Sequence, residues 1–269
     1  MNFLVLLLVG LILLWTPWRT GYPRDLLRDW VGRAVLVARG WMAVAAVLVL
    51  LIPLGLLLAA MQGLAYGLFT LLLHVGLLLC CVGRHDPLRS MLGPFVDAWQ
   101  RDDQAAAALL AEQQLGVVDE QAEGLLEQVG DRIAATTFQD YFVPTFWYLL
   151  LGPLGAVAYR LLELTRQQWG HSASHPAGVL VHALEWIPAR LVALSFALIG
   201  QYDSTLRKVR SMALEWEISA GELVSQCARA ALVHESTEPG VGILQDTRQL
   251  MIRAILTWAV IIVFLSVMG

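Results

Sequence analysis

Two long apolar stretches dominate the pattern of hydrophobic and polar positions along the chain. Residues 41–61 (WMAVAAVLVLLIPLGLLLAAM) carry no charged side chain, and residues 64–82 follow after Gln62 and Gly63. A helix of about 20 apolar residues matches the hydrocarbon thickness of a bilayer, roughly 30 Å. Two such helices in succession cannot be buried in the core of a soluble protein of 269 residues. The pattern therefore predicts an all-α, polytopic membrane protein.

Four further apolar stretches bring the predicted number of membrane-embedded helices to about six. The first lacks the basic residues of a signal peptide, so we expect a retained anchor helix. The second is interrupted by Gly152, Pro153 and Gly155, a break that frees backbone carbonyls and that we expect to move. The four stretches cover residues 3–15, 142–162, 183–200 and 254–268.

Polar segments separate these stretches. An arginine-rich segment, 19–39, has apolar residues at helical spacing, which is typical either of a helix at the headgroup boundary or of a juxtamembrane loop. Residues 83–139 are acidic, with a helix-favouring run at 104–115 and an apolar stripe within 119–135. This segment predicts a cytoplasmic helical insertion, and residues 203–235 predict a second cytoplasmic helical segment.

The distribution of basic residues predicts the orientation. Of 18 Lys and Arg residues, five lie in 17–40, four in 83–141 and six in 202–253. With six spans, these three segments fall on one side of the membrane, and the positive-inside rule makes that side cytoplasmic. We therefore expect a multi-pass protein with both termini on the opposite face.

Composition narrows the possible functions. Hydrophobic residues make up 58% and charged residues 15%, against about 25% charged residues in a soluble domain. The net charge of −4 is too small to indicate a nucleic-acid partner, and the chain has no P-loop motif. His171 and His175 lie in a Gly/Ser loop without nearby carboxylates, so we expect no metal and no cofactor. Cys80, Cys81 and Cys227 are expected to pack as small apolar side chains.

The first candidate site lies in the stretch 183–200. His182 and Glu185 are three residues apart and share one helical face, and Arg190 lies deeper in the apolar run. A charge at membrane depth costs roughly 3 kcal/mol, so it needs a partner or a wet cavity. One interpretation is a polar pocket in which Arg190 binds an anionic group. The alternatives are an ion pair of Glu185 with Arg190 or with Arg160, or an arginine that extends to water.

The second candidate site flanks the interrupted stretch. Asp140 precedes it, and Arg160 and Glu163 stand at its far end, spaced for a salt bridge within one helix. Such pairs usually contribute tenths of a kcal/mol, which favours a structural role. If the broken helix meets the 183–200 stretch, however, Arg160 approaches Glu185.

Two sequence blocks carry a resemblance to a known family. The first is DYFVPTFW at 140–147, followed by Gly152-Pro153-x-Gly155 and Tyr159-Arg160; the second is WIPARL at 186–191, which continues to FALIG at 196–200. Together they resemble the AmpE family, within the CobD/CbiB-like superfamily of polytopic membrane proteins. The resemblance covers nearly the whole chain.

The resemblance implies a function in signalling. AmpE proteins are bacterial inner-membrane proteins tied to β-lactamase induction, and hence to antibiotic resistance, alongside recycling of the cell wall. They are regarded as sensors or signalling modulators without an established reaction. For this chain the resemblance implies a protein partner contacted by 83–139 and a cell-wall-derived ligand held near Arg190, Glu185 and Arg160.

The resemblance also implies an alternative, because the related synthases attach an aminopropanol-type arm to a corrinoid in an ATP-dependent amide-forming reaction. Asp140, Arg160, Pro188 and Arg190 match the synthase pattern. The Glu-Asn that opens the synthase block is missing from 135–141, however, and Leu162-Glu163-Leu164-Thr165 replaces the synthase Asn-Thr-Leu-Asp. A synthase would use Asp140, Glu163 and Glu185 to hold Mg²⁺. A broken helix with charges at membrane depth also suits a small-solute transporter, although the two halves show no matching hydropathy pattern.

Overall fold

The described part of the chain is entirely helical in its regular secondary structure. A computed structural model describes residues 2–15, 25–61, 67–82, 92–117, 122–169, 175–232 and 242–268. The prediction of an all-α protein is confirmed. The chain divides into two compact units, one formed by residues 1–84 and 143–185 and the other by residues 85–142 and 186–269.

The described helices of the first unit are α1 (Asn2–Trp15), α2 (Leu26–Val37), α3 (Trp41–Leu48), α4 (Leu51–Met61), α5 (Leu68–Cys81), α9 (Val143–Leu151), α10 (Pro153–Gln168) and the beginning of α11 (Pro176–Ile199). Helix α10 is central to this unit, since it packs against α2, α3, α4, α5 and α9. Helix α1 packs against α5.

The arginine-rich segment forms a helix from Leu26 onward, while its residues 19–24 lie outside the described part. Asp25 caps α2 because its carboxylate accepts hydrogen bonds from the backbone N–H groups of Leu27 and Arg28. Val31 and Ala34 are buried, and Arg28 and Arg33 are exposed. The helical interpretation of 26–37 is therefore confirmed, whereas its place at a membrane surface stays a prediction.

The predicted interruption of the stretch 142–162 is present as a complete break between two helices. Helix α9 ends at Leu151, and α10 begins at Pro153, where the missing N–H costs nothing. Gly152 joins them with φ +69° and ψ −161°, a conformation that only glycine adopts without strain. The stretch therefore forms two packed helices, and its predicted place in the membrane stays a prediction.

The described helices of the second unit are α6 (Leu92–Gln100), α7 (Gln104–Leu110), α8 (Ala122–Thr137), α12 (Tyr202–Met212), α13 (Ala220–Leu232), α14 (Gly242–Met268), the remainder of α11, and π-helical turns at Ala111–Leu115 and Phe138–Phe142. This unit has its own hydrophobic core. Helix α8 contacts both α13 and α14, and the buried cluster includes Phe95, Val129, Ile133 and Leu244.

Among the residues that the structure describes, three helical stretches are long and apolar enough to cross a membrane. They are Trp41–Met61, Pro176–Ile199 and Gly242–Phe264, and Phe3–Leu13 and Leu68–Cys81 are shorter apolar helices. The last helix begins at Gly242, 12 residues before the apolar span predicted at 254–268, and its first three turns bury Leu244, Leu250 and Met251. The membrane boundaries and the cytoplasmic placement of 83–139 and 203–235 stay predictions.

Cys227 should be inert to thiol reagents in the folded protein. Its side chain is buried in α13, and burial raises the pKa of the thiol to about 11, although Lys208 partly opposes this shift. At pH 8 only about one molecule in a thousand then carries the reactive thiolate. Mass spectrometry after iodoacetamide treatment should find Cys227 unmodified in the folded protein and modified in the SDS-unfolded protein. Rapid modification in the folded state would contradict this expectation.

Candidate functional site

A group of buried polar side chains lies in the first unit, and we call it the buried ionic cluster: Tyr159, Glu163, Arg166 and Glu185. The Tyr159 hydroxyl donates to Glu185 Oε1 at 2.8 Å. Arg166 Nη2 lies 2.8 Å from Glu163 Oε2 and 3.9 Å from Glu185 Oε1. Only 3% of Glu163 and 2% of Glu185 are exposed. One guanidinium therefore lies between two buried carboxylates.

The spacing of these residues along the sequence explains why three of them lie close together. Tyr159, Glu163 and Arg166 are separated by four and then three residues, so they share one face of α10. Gln167, four residues after Glu163, donates from Nε2 to Glu163 Oε1 at 3.0 Å. Glu185 comes from α11 and completes the cluster, which is why the pair of carboxylates depends on tertiary packing.

The neighbouring Arg160 points to a different helix. Its Nη2 atom lies 3.7 Å from Oδ2 of Asp25, the residue that caps α2, and the Arg160 side chain is buried. Arg160 therefore joins α10 to the residue that caps α2, and Arg166 joins α10 to α11. Charged groups buried together in this way require each other, because removal of one leaves the other uncompensated.

Arg166 remains a cation in these surroundings. Burial alone lowers the pKa of its guanidinium, but the carboxylates of Glu163 and Glu185 outweigh burial and raise the pKa above its ordinary value. Within the described residues, Arg166 Nε makes no hydrogen bond, although this atom is buried. The cluster therefore contains one buried N–H group, on a cation, whose hydrogen bond is not made within the described part of the chain.

A proline-dependent contact joins the two sequence blocks. Pro188 lies inside α11 and has no N–H group, so the carbonyl of Leu184 lacks its usual partner within the helix. The indole Nε1 of Trp147 donates to this carbonyl at 3.2 Å. The proline of WIPARL and the tryptophan of DYFVPTFW are thus complementary, one leaving an acceptor and the other supplying the donor.

Arg190, the predicted anion-binding residue, lies in the second unit and contacts backbone carbonyls. Its guanidinium donates to the carbonyl oxygens of Ala213 at 2.8 Å, Trp186 at 3.0 Å and Glu215 at 3.0 Å. Its Cζ atom also lies 3.9 Å above the Trp186 ring. These contacts give Arg190 a structural role, and anion binding by Arg190 stays a prediction.

The six predicted site residues are thus distributed over both units. Arg160, Glu163, His182 and Glu185 belong to the first unit, and Asp140 and Arg190 belong to the second. Asp140 is buried within the π-helical turn Phe138–Phe142, and His182 is half-buried one turn before Glu185. The structure brings Glu163 and Glu185 together on Arg166, a residue that the sequence analysis did not select.

A family of known proteins matches nearly the whole chain. The profile of a family described as "Regulatory signalling modulator protein AmpE" matches residues 4–269. The chain belongs to the AmpE family. Protein AmpE of Shigella flexneri is 26% identical over 194 residues, which cover 67% of this chain and 68% of that protein. No solved structure shows significant similarity to the chain.

Proteins named for cobalamin biosynthesis are also similar to this AmpE-family chain. Cobalamin biosynthesis protein CobD of Stutzerimonas stutzeri is 27% identical over 258 residues, 86% of this chain and 82% of that protein. The corresponding protein of Chromobacterium violaceum is 32% identical over 107 residues, 38% of this chain and 32% of its own length. Family and apolar helices together identify a membrane protein.

Two members of the site in this AmpE-family chain escaped the sequence analysis. Arg166 stands three residues after Glu163, and Arg160 stands three residues before it. Helical periodicity therefore indicates both arginines equally as partners of Glu163. Asp25 is recognisable from sequence as a helix cap before Leu26. Its contact with Arg160 bridges 135 residues of sequence, and no local pattern indicates it.

Proposed function

We propose that this AmpE-family chain is a signalling modulator of the bacterial inner membrane that acts in β-lactamase induction. Its ligand-responsive element, in this proposal, is the buried ionic cluster, and its ligand is a polar fragment derived from the cell wall. The observation that carries the signalling assignment is the family match over residues 4–269. A multi-pass arrangement is part of the proposal and is supported by the apolar helices, since three helices among the described residues have the length and composition to cross a membrane.

The contacts of Arg166 support a ligand-responsive role for the cluster. Its Nη2 atom donates a short hydrogen bond to Glu163 Oε1, at 2.9 Å, while its distance to Glu185 Oε1 is 3.9 Å, outside hydrogen-bonding range. A ligand carboxylate that accepts from Arg166 Nε competes with Glu185 for the same cation. Glu185 then relies more on the Tyr159 hydroxyl, and the contact between α10 and α11 changes.

A ligand shifts a protein between two conformations only if it binds them with different affinity. The cluster meets this condition when the Arg166–Glu185 contact exists in one conformation and the Arg166–ligand contact in the other. In this proposal α10 turns relative to α9 at Gly152, the residue between the end of α9 and the beginning of α10. The acidic segment 83–139 is the part we propose for contact with a protein partner.

Induction of β-lactamase tests this proposal directly. A bacterium with inducible β-lactamase and a deleted AmpE gene should regain induction by a sub-inhibitory β-lactam when it expresses this chain. Glu185→Gln keeps the shape and the acceptor for Tyr159 but removes the charge, so we expect a reduced ratio of induced to basal β-lactamase activity. The readout is nitrocefin hydrolysis, normalised to the amount of chain in the membrane.

The matched control is Glu217→Gln, the same change at an exposed position in the second unit, outside the segment proposed for partner contact. It should leave the induction ratio unaltered, since an exposed carboxylate in water loses little when its charge is removed. The signalling proposal is wrong if the wild-type chain does not alter induction in the deletion strain. The cluster proposal alone is wrong if Glu185→Gln and Glu217→Gln behave identically.

The second candidate function is a membrane-embedded amide-forming synthase, and the similarity to the Stutzerimonas stutzeri protein over 86% of this chain favours it. In such an enzyme Glu163 and Glu185 are the acidic candidates for Mg²⁺ in the first unit, but Glu163 accepts hydrogen bonds from Arg166 and Gln167. The purified chain, incubated with a corrinoid carboxylate, an aminopropanol and Mg·ATP, distinguishes the two functions. Formation of the amide, detected by mass spectrometry, would replace the signalling proposal with a synthase.

A further inference from the structure

A histidine side chain caps the first turn of α11. The carbonyl oxygen of His175 accepts the first helical hydrogen bond, from the N–H group of Val179 at 3.2 Å. The imidazole Nδ1 of the same residue accepts from the N–H group of Ala177, also at 3.2 Å. Pro176, between them, has no N–H group to satisfy. His175 therefore occupies the N-cap position, which Ser, Thr, Asn and Asp fill most often.

Water cannot take the place of this cap. Ala177 is completely buried, so its N–H group lies away from solvent. A buried N–H group that loses its partner costs more free energy than an exposed one, because no water molecule replaces the lost acceptor. The first turn of α11 therefore depends on the imidazole more strongly than a helix that begins at the protein surface depends on its cap.

The cap exists only while the imidazole is neutral. Because Nδ1 accepts a hydrogen bond, the proton of the neutral ring is on Nε2. A second proton, on Nδ1, makes this atom a donor that faces the N–H group of Ala177. It also places a positive charge at a helix N-terminus, where the helix dipole is already positive. Histidine ordinarily titrates between about pH 5 and 8, so the cap is present above this range and is lost as the pH falls through it.

The same imidazole joins α11 to the end of α10. It stacks on Trp169, with the ring centroids 4.4 Å apart and an interplanar angle of 27°. Trp169 ends α10 and follows Arg166 of the buried ionic cluster by three residues. One side chain therefore caps the helix that carries Glu185 and packs on the end of the helix that carries Arg166.

The ionic groups around this end of the helix pair have partners other than His175. The titratable and charged side chains of α9, α10 and the first part of α11 are Tyr148, Tyr159, Arg160, Glu163, Arg166, His182 and Glu185. Arg160 pairs with Asp25, and the two carboxylates flank Arg166. Neither ring nitrogen of His175 bonds to a carboxylate, since Nδ1 accepts from the backbone and Nε2 makes no hydrogen bond within the described residues.

We propose that His175 is a pH-responsive cap of α11. In its neutral form it holds the first turn of α11 and stacks on Trp169. In its protonated form it no longer accepts from the N–H group of Ala177, and the first turn of α11 opens. The buried ionic cluster lies between the same two helices, so the cap regulates how firmly Glu185 is held beside Arg166. This inference is independent of the proposed ligand and of β-lactamase induction.

Hydrogen–deuterium exchange of the full-length protein in detergent tests the cap. His175→Asn supplies an acceptor that does not titrate, and His175→Ala removes the acceptor. Both variants lose the stacked ring and keep every other histidine. The readout is the exchange rate of the backbone amides of residues 177–182, measured by mass spectrometry, with the three proteins compared at the same pH. We expect the ratio of the wild-type rate to the His175→Asn rate to rise by about fivefold between pH 8 and pH 5, the effect of losing a typical N-cap. The ratio of the His175→Ala rate to the His175→Asn rate should stay near the same value throughout.

Three results overturn the proposal. The first is a ratio of wild type to His175→Asn that does not change between pH 8 and pH 5. The second is an equal rate for His175→Ala and His175→Asn, because the cap then does not hold the first turn. The third is an equal rise of the wild-type ratio in α9, Val143–Leu151, because the whole unit then responds to pH. If His175→Ala does not fold, the comparison of the wild type with His175→Asn still decides.

Discussion

Replacement of Arg166 by methionine should lower the free energy of unfolding by about 3–5 kcal/mol, the cost of leaving buried charges uncompensated. Arg166 is the cation between Glu163 and Glu185, and both carboxylates are almost completely buried. Methionine has a similar length but no charge, so the two carboxylates then repel each other in apolar surroundings. The measurement is unfolding of the purified protein by SDS in mixed micelles, followed by circular dichroism.

Two controls separate the buried ion pair from a general effect of losing an arginine. Arg132→Met removes an exposed arginine from α8 and should change the free energy of unfolding by less than about 0.5 kcal/mol. The double variant Arg166→Met/Glu163→Gln removes one of the two uncompensated carboxylates and should recover part of the loss. A loss for Arg166→Met no larger than that for Arg132→Met would contradict the structural account of the cluster.

Gly155→Ala should destabilise the first unit by about 1–3 kcal/mol through steric overlap. A Cβ atom at this position would lie 2.6 Å from Leu151 Cβ and 2.6 Å from the Trp147 backbone oxygen. A backbone oxygen moves only with its helix, and the Trp147 indole ties α9 to α11 through Leu184. We therefore expect a lower melting temperature of the protein in detergent, measured by differential scanning fluorimetry.

The matched control is Gly76→Ala in α5. A Cβ atom there meets nothing within 4 Å, and alanine favours a helix over glycine by roughly 1 kcal/mol. This variant should therefore leave the melting temperature unchanged or raise it. Equal losses for Gly155→Ala and Gly76→Ala would show that the loss of glycine flexibility, and not the close approach of α9 and α10, sets the effect.

Much of the helical architecture was predictable because it depends on local pattern. The apolar run at 41–61 and the helices of the acidic segment follow from residue type and periodicity alone. The break at Gly152 followed from a Gly-Pro pair inside an apolar run. An apolar span was predicted near 254–268, and the helix that contains this stretch begins at Gly242. The first turns of the helix combine polar residues with the buried Leu244, Leu250 and Met251, so a search for apolar runs does not include them.

The candidate site was predictable only in part. Glu163 and Glu185 were selected because charges stand out in apolar stretches, and both are buried as the cost of such charges implies. Their shared partner, Arg166, was not selected, since it lies beyond the apolar run and resembles an ordinary charge at a helix end. The hydrogen bonds of Arg190 to the carbonyls of Ala213 and Glu215 join residues 23 and 25 positions apart in the sequence. A periodic pattern of residue types carries no information about them.

The sequence by itself determined that this chain is helical, that several of its helices are suited to a membrane, and that few ionic side chains lie among them. These properties are sums over neighbouring residues, so composition and periodicity are sufficient to reveal them. Only the tertiary structure decided which cation pairs with which carboxylate and which carbonyls accept hydrogen bonds from Arg190. Such choices depend on distances of a few ångströms between helices, and the free energy of a buried charge is set by whatever group those distances bring to it.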